Sequence, residues 1–183
     1  MRRWTGTLAA LAVAATMAGC SGGDGDGDGG GGGREFTVPA ALCGVDVPEK
    51  ALSPLLPGEG EDVRVGDDRS KRRLCHVSVD DRRVLDVTYS GTGDFHDPMS
   101  AGERESLARP RAMADLPFDG KGATGERNAM ATARCGGEGP PYLVVDVGVN
   151  PGVTADEEQR RADMGRFATA FLESAKKDRG CTA

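Results

Sequence analysis

Leu74-Cys75-His76-Val77-Ser78-Val79-Asp80-Asp81-Arg82-Arg83-Val84-Leu85-Asp86-Val87-Thr88-Tyr89 is the stretch on which the fold of this chain turns. Cys75, Val77 and Val79 alternate with Leu74, His76 and Ser78, and Leu85, Val87 and Tyr89 alternate with Asp86 and Thr88. A period of two places one side of a strand on a core and the other towards solvent. Asp80-Asp81 lies between the runs, and aspartate tolerates the backbone of a tight turn. The stretch reads as a hairpin, which belongs to an antiparallel sheet.

Shifted by 60 positions, the chain meets itself. Leu56-Pro57 falls on Leu116-Pro117, Gly60 on Gly120, Cys75 on Cys135, Val84 on Val144, and Asp86-Val87 on Asp146-Val147. The second hairpin runs through strands at 129–135 and 142–149, joined by a turn at 136–141. A short helix at 48–56 precedes the first hairpin, and helix formers at 100–115, kinked at Pro110, precede the second. The last helix is the clearest. Thr154-Ala155-Asp156-Glu157 fits a capping box, Met164, Phe167, Ala168, Phe171 and Ala175 form a stripe at helical spacing, and Gly180 suits the stop. The expectation is an α+β domain. Its antiparallel sheet is built from two duplicated helix-plus-hairpin units, residues 43–99 and 100–183, with helices mainly on one face.

The N-terminus gives the compartment. Arg2 and Arg3 precede an apolar run over about 5–17, then Ala18, Gly19 and Cys20, the parts of a secretion signal. The run is too short to span a bilayer. Met17-Ala18-Gly19-Cys20 resembles a bacterial lipobox, which implies that residues 1–19 are removed and Cys20 is acylated. Residues 20–33 then comprise the lipidated cysteine and a Gly/Asp-rich spacer spanning roughly 20 Å, and 34–183 form one extracytoplasmic domain. Asp24, Asp26, Asp28, Gly29 and Glu35 satisfy the spacing of a calcium loop, but without flanking helices they read as spacer. A net charge of −6 argues against nucleic acid as a partner.

Cys43, Cys75, Cys135 and Cys181 remain, an even set in an exported chain and so two disulfides, with three connectivities open to sequence alone. The repeat selects Cys43–Cys75 and Cys135–Cys181. Zinc would need close pairs, and there are none. The repeat also separates Arg69, Lys71, Arg72 and Arg73 from their counterparts at 129–133, which are small or apolar. The first set is expected to be exposed and the second buried. Arg82 and Arg83 extend the basic cluster across the hairpin. A solvated sheet edge is the first reading of the cluster, and contact with anionic head groups or wall polymers the functional one.

Catalytic patterns are sparse. Gly120-Lys121-Gly122-Ala123-Thr124-Gly125 spells a dinucleotide fingerprint, yet its flanks read as loop. Ser174 and Lys177 have S-x-x-K spacing without companion motifs. His76 sits in a strand, where a structural role is expected. His96, beside Asp94 and Asp97, falls short of a metal ligand set. No metal or cofactor and no enzymatic activity are expected.

The lipobox, the Gly/Asp spacer, Ala41-Leu42-Cys43-Gly44, a helix ending in Leu55-Leu56-Pro57, Leu74-Cys75 in a strand and a final Cys181 together resemble small lipoproteins of actinobacteria such as streptomycetes, many of them in families of unknown function. The resemblance covers most of the chain. It implies lipid attachment to the outer face of the cytoplasmic membrane and no particular activity. The expected role is a non-catalytic binding module for an envelope protein partner. A carrier or scavenger of a lipid or small metabolite in an apolar pocket is the second reading, and an envelope enzyme the third.

Overall fold

The computed structural model describes residues 33–68, 73–154 and 156–181. The chain forms β1 (Ala41–Leu42), β2 (Val45–Asp46), α1 (Glu49–Leu52), β3 (Val63–Asp68), β4 (Arg73–Val79), β5 (Arg82–Thr92), β6 (Arg111–Ala112), β7 (Gly120–Thr124), β8 (Asn128–Arg134), β9 (Tyr142–Val149) and α2 (Glu157–Asp178). The opening hairpin is β4–β5. Asp80 and Asp81 take positive φ values of 48° and 61°, the left-handed conformation whose twist suits a two-residue hairpin turn. Val77 pairs with Leu85 and Ser78 with Arg83, so a bulge at Val84 lets that valine remain buried.

The seven-stranded sheet has the order β3-β4-β5-β9-β8-β7-β6, every neighbour antiparallel. α2 packs across one face. Met164, Phe167, Ala168, Phe171 and Ala175, the stripe read from sequence, are fully buried there, and Phe171 meets Tyr89 edge-on with ring centroids 5.5 Å apart. From the strands Val77, Val87, Leu143, Val145 and Val147 complete this core. Leu42, Leu52 and Leu55, from β1, α1 and the 3-10 turn that prolongs α1, close its end. Residues 129–133 are buried as expected.

Both disulfides form with the pairing taken from the sequence. Cys43 bonds Cys75 with Cα atoms 5.4 Å apart, and Cys135 bonds Cys181 with Cα atoms 4.8 Å apart. The second also caps α2. Gly180 has φ 65°, its N–H donates to Lys177 O, and the Cys181 N–H donates to Lys176 O at 2.9 Å. These are the paired bonds of a Schellman stop, and they place Cys181 against Cys135 just beyond β8.

Several expectations are corrected. No duplicated units are evident: α1 has four residues where α2 has 22, and α2 follows its hairpin rather than preceding it. The offset identities at 84–87 and 144–147 fall on β5 and β9, two central strands that pair with each other and share the same demand for buried alternation. Residues 100–115 are not a helix. They form turns, a 3-10 turn at Arg104–Ser106 and β6, because Leu107 is drawn into a small second cluster with Ala123, Met130 and Val144 on the sheet face away from α2. The helix cap is Asp156, whose side chain accepts from the Gln159 N–H at 2.7 Å, so the cap lies two residues beyond Thr154.

The glycine string at 120–125 has loop on either side, at 117–119 and 125–127, as read from the sequence, but most of the string itself is a strand. Gly120–Thr124 is β7, paired with β8. Its glycines answer to packing: a Cβ at Gly122 would lie 2.6 Å from Met113 Sδ, and one at Gly120 would collide with Thr132 O. The phosphate-binding reading has no helix N-terminus to support it.

Candidate functional site

One side of α2 packs on the sheet. Beside it, Ala162, Gly165, Thr169 and Ala170 turn towards β6 and leave a groove of about 740 Å³ open to solvent. β6 is the terminal strand. Met113 N–H donates to Gly122 O at 2.8 Å, and since alternate residues of an antiparallel strand bond to opposite sides, the peptide groups of Ala112 point to the free edge. Met113 rests between β7 and α2: a Cβ on Gly165 would lie 3.6 Å from its methyl group. The groove thus has an adaptable thioether and small side chains along its base, the composition of surfaces that accommodate partners.

Charged groups frame it. Arg161 is 4% exposed; its Nε donates to Glu157 Oε1 at 2.9 Å and its Nη1 to Thr124 O at 2.8 Å. The Arg161 hydrogen bond holds the Glu157 carboxyl below the ordinary carboxylate range, aided by the charges of Arg109, Arg161 and Arg111. Arg111 pairs with Glu158 at 2.7 Å, Arg166 pairs with Asp163, and Lys50 lies on the α1 side. The chain matches no family model, no curated protein and no solved structure. The chemistry of the groove is accordingly argued from its own residues.

The residues singled out from sequence are dispersed. Cys20, the spacer aspartates, Arg69, Lys71 and Arg72 lie outside the described residues. Arg73 is exposed as expected, but the hairpin register puts it opposite Tyr89, whereas Arg82 lies opposite Val79. Six residues of strand, roughly 20 Å, separate them, so Arg73 does not share a patch with Arg82 and Arg83. Arg73 Nη1 donates to Cys43 O at 3.3 Å, and Arg83 pairs with Asp86 at 2.5 Å.

His96 Nδ1 lies 2.6 Å from Glu103 Oε1. Asp97 accepts from Lys121 Nζ at 2.5 Å, the contact that chiefly depresses its pKa, with the Met99 N–H adding to it. Asp94 closes a local turn with Thr92. These three do not converge, and among the described residues no three His, Cys, Asp or Glu side chains are grouped to hold a metal ion. His76 lies over Gly66 of β3, where any Cβ would meet its ring. The groove was missed because its signal is weak: small residues on the polar side of a helix ordinarily indicate solvent.

Proposed function

We propose that this chain is a lipid-anchored extracytoplasmic binding module of the small actinobacterial lipoprotein kind, which seats a segment of an envelope protein in the α2–β6 groove without transforming it. The observation that carries this reading is the groove itself, with an apolar base of Met113, Ala162, Gly165 and Ala170 beside a free strand edge. An extended segment fits such a place, bonding to Ala112 with its backbone and lowering apolar side chains onto α2. The two disulfides accord with an oxidising compartment. The groove's openness favours a protein partner over an enclosed lipid or metabolite cargo.

Ala162 is exposed, so Ala162→Trp fills the groove with little demand on the core. The expected outcome in native envelopes is that a discrete partner cross-links to the wild-type chain and is lost from Ala162→Trp, while Cys20→Ala moves the chain into the soluble fraction. Equal cross-linking by the Trp variant, or a small-molecule adduct in native mass spectrometry, would turn the reading towards the carrier.

A further inference from the structure

On the sheet face away from α2, three crevices of about 490, 280 and 390 Å³ lie against the segment 93–110. They are continuous: Asp86, Ser106, Asn128 and Gly148 border the first and second, and Asp146 the second and third. The floor follows β5 from Arg83 to Thr92, roughly 30 Å at the rise of a strand. Side chains of the even-numbered residues of β5 and β9 face it, because their odd-numbered neighbours point into the α2 core. Along the channel stand the carboxylates of Asp86 and Asp146, the hydroxyls of Thr88 and Ser90, the amide of Asn128, and the His96–Glu103 pair. The segment beside it is fastened by the Thr132 hydroxyl to His96 O at 2.6 Å, by Asn128 to Ser106 O at 2.6 Å, and by Lys121 to Asp97.

An aromatic pair ends the row. Tyr142, two residues before Val144 on the same face of β9, meets Phe95 edge-on at 5.3 Å between centroids. Phe95 is 38% exposed, one of two large apolar side chains among the described residues left so open. Arg134 lies over the Tyr142 ring, 5.3 Å from its centroid.

We propose that this channel binds an extended glycan, with the exposed ring of Phe95, propped edge-on by Tyr142, offering an apolar surface to one sugar ring and the polar row bonding the hydroxyls of the rings that follow. β5 and β9 are hydrogen-bonded on both sides, so no peptide can join them as a strand and recognition passes through side chains. Carboxylates, hydroxyls and an amide repeated along a line complement a ligand that presents hydroxyl groups along its length. The exposed Phe95 ring complements the carbon-bound hydrogens of a ring face.

The test is calorimetric titration of the full chain with chitohexaose, cellohexaose and lysozyme-solubilised wall glycan. Saturable binding of at least one is expected, weakened about tenfold in Phe95→Ala and weakened also in Asp146→Asn, with thermal unfolding confirming that both variants fold. Ala162→Trp, across the sheet, should bind the glycan as the wild type does even where it loses the protein partner. Three outcomes overturn the proposal: no glycan saturates at millimolar concentration, folded Phe95→Ala and Asp146→Asn both bind like the wild type, or a polar decapeptide occupies the channel and the glycans do not.

Discussion

Asp80 shows how much one carboxylate organises. Its Oδ1 accepts from the N–H groups of Glu61 at 3.1 Å and Asp62 at 3.0 Å, and its own N–H donates to Asp62 O at 2.9 Å. The bonds from Asp62 and Glu61 hold its carboxyl below the ordinary carboxylate range. A carboxyl depressed on folding adds stability that is present above its unfolded pKa and is lost as pH falls through the lower folded value. Asp80→Asn keeps a side chain tolerant of positive φ and removes the charge. We expect it to unfold at lower urea than the wild type at neutral pH, with the gap shrinking below the ordinary carboxylate range. A gap that stays constant on acidification would mean that the turn geometry, rather than the ionised group, is what matters.

At the scale of elements, legibility followed the side chains that reach the core. The hairpin, β8, β9 and the apolar stripe of α2 were readable because alternation and helical spacing are periodic, and the core imposes that period. β7 was not, because Gly120 and Gly122 carry no side chain to show alternation, and their role is to admit Met113 and the backbone of β8. The first turns of α2 were also opaque: Arg160, Arg161 and Asp163 are buried although charged, held by carbonyls and partners that no local pattern announces. Arg160 Nε donates to Glu126 O at 2.8 Å, while Arg161 joins α2 to β7 through Thr124 O. Arg161→Met should therefore cost about 2–4 kcal/mol in urea unfolding, since it removes the buried hydrogen bond to Thr124 O and one of the two guanidinium partners of Glu157. Arg161→Lys should recover only part, as a single ammonium cannot reach both acceptors with the geometry of a guanidinium. Unfolding of Arg161→Met at the wild-type urea concentration would show that the pair only offsets its own desolvation.

For the whole molecule the decisive links are the disulfides. Their pairing was inferred from a repeat that the fold does not display, yet the pairing holds because each bond answers a separate local demand. Cys43, at the turn between β1 and β2, fastens that hairpin to β4; Cys181, placed by the Schellman stop, fastens the end of α2 beyond β8. Aromatic residues make up 4% of the sequence, so only a few large rings, Tyr89, Phe167 and Phe171 chief among them, contribute to burial energetics that such rings usually dominate. Cross-links over 32 and 46 residues each remove about 4 kcal/mol of unfolded-chain entropy on the loop-closure account, against a total of roughly 5–15 kcal/mol for a typical domain. Replacing either pair by alanine should lower the thermal midpoint and leave a folded protein. Replacing all four cysteines should leave the chain largely unfolded at 25 °C, read by far-UV circular dichroism. If the four-alanine form melts within a few degrees of the wild type, the sheet and α2 hold together without the cross-links, and the bonds act on resistance to proteolysis rather than on equilibrium stability.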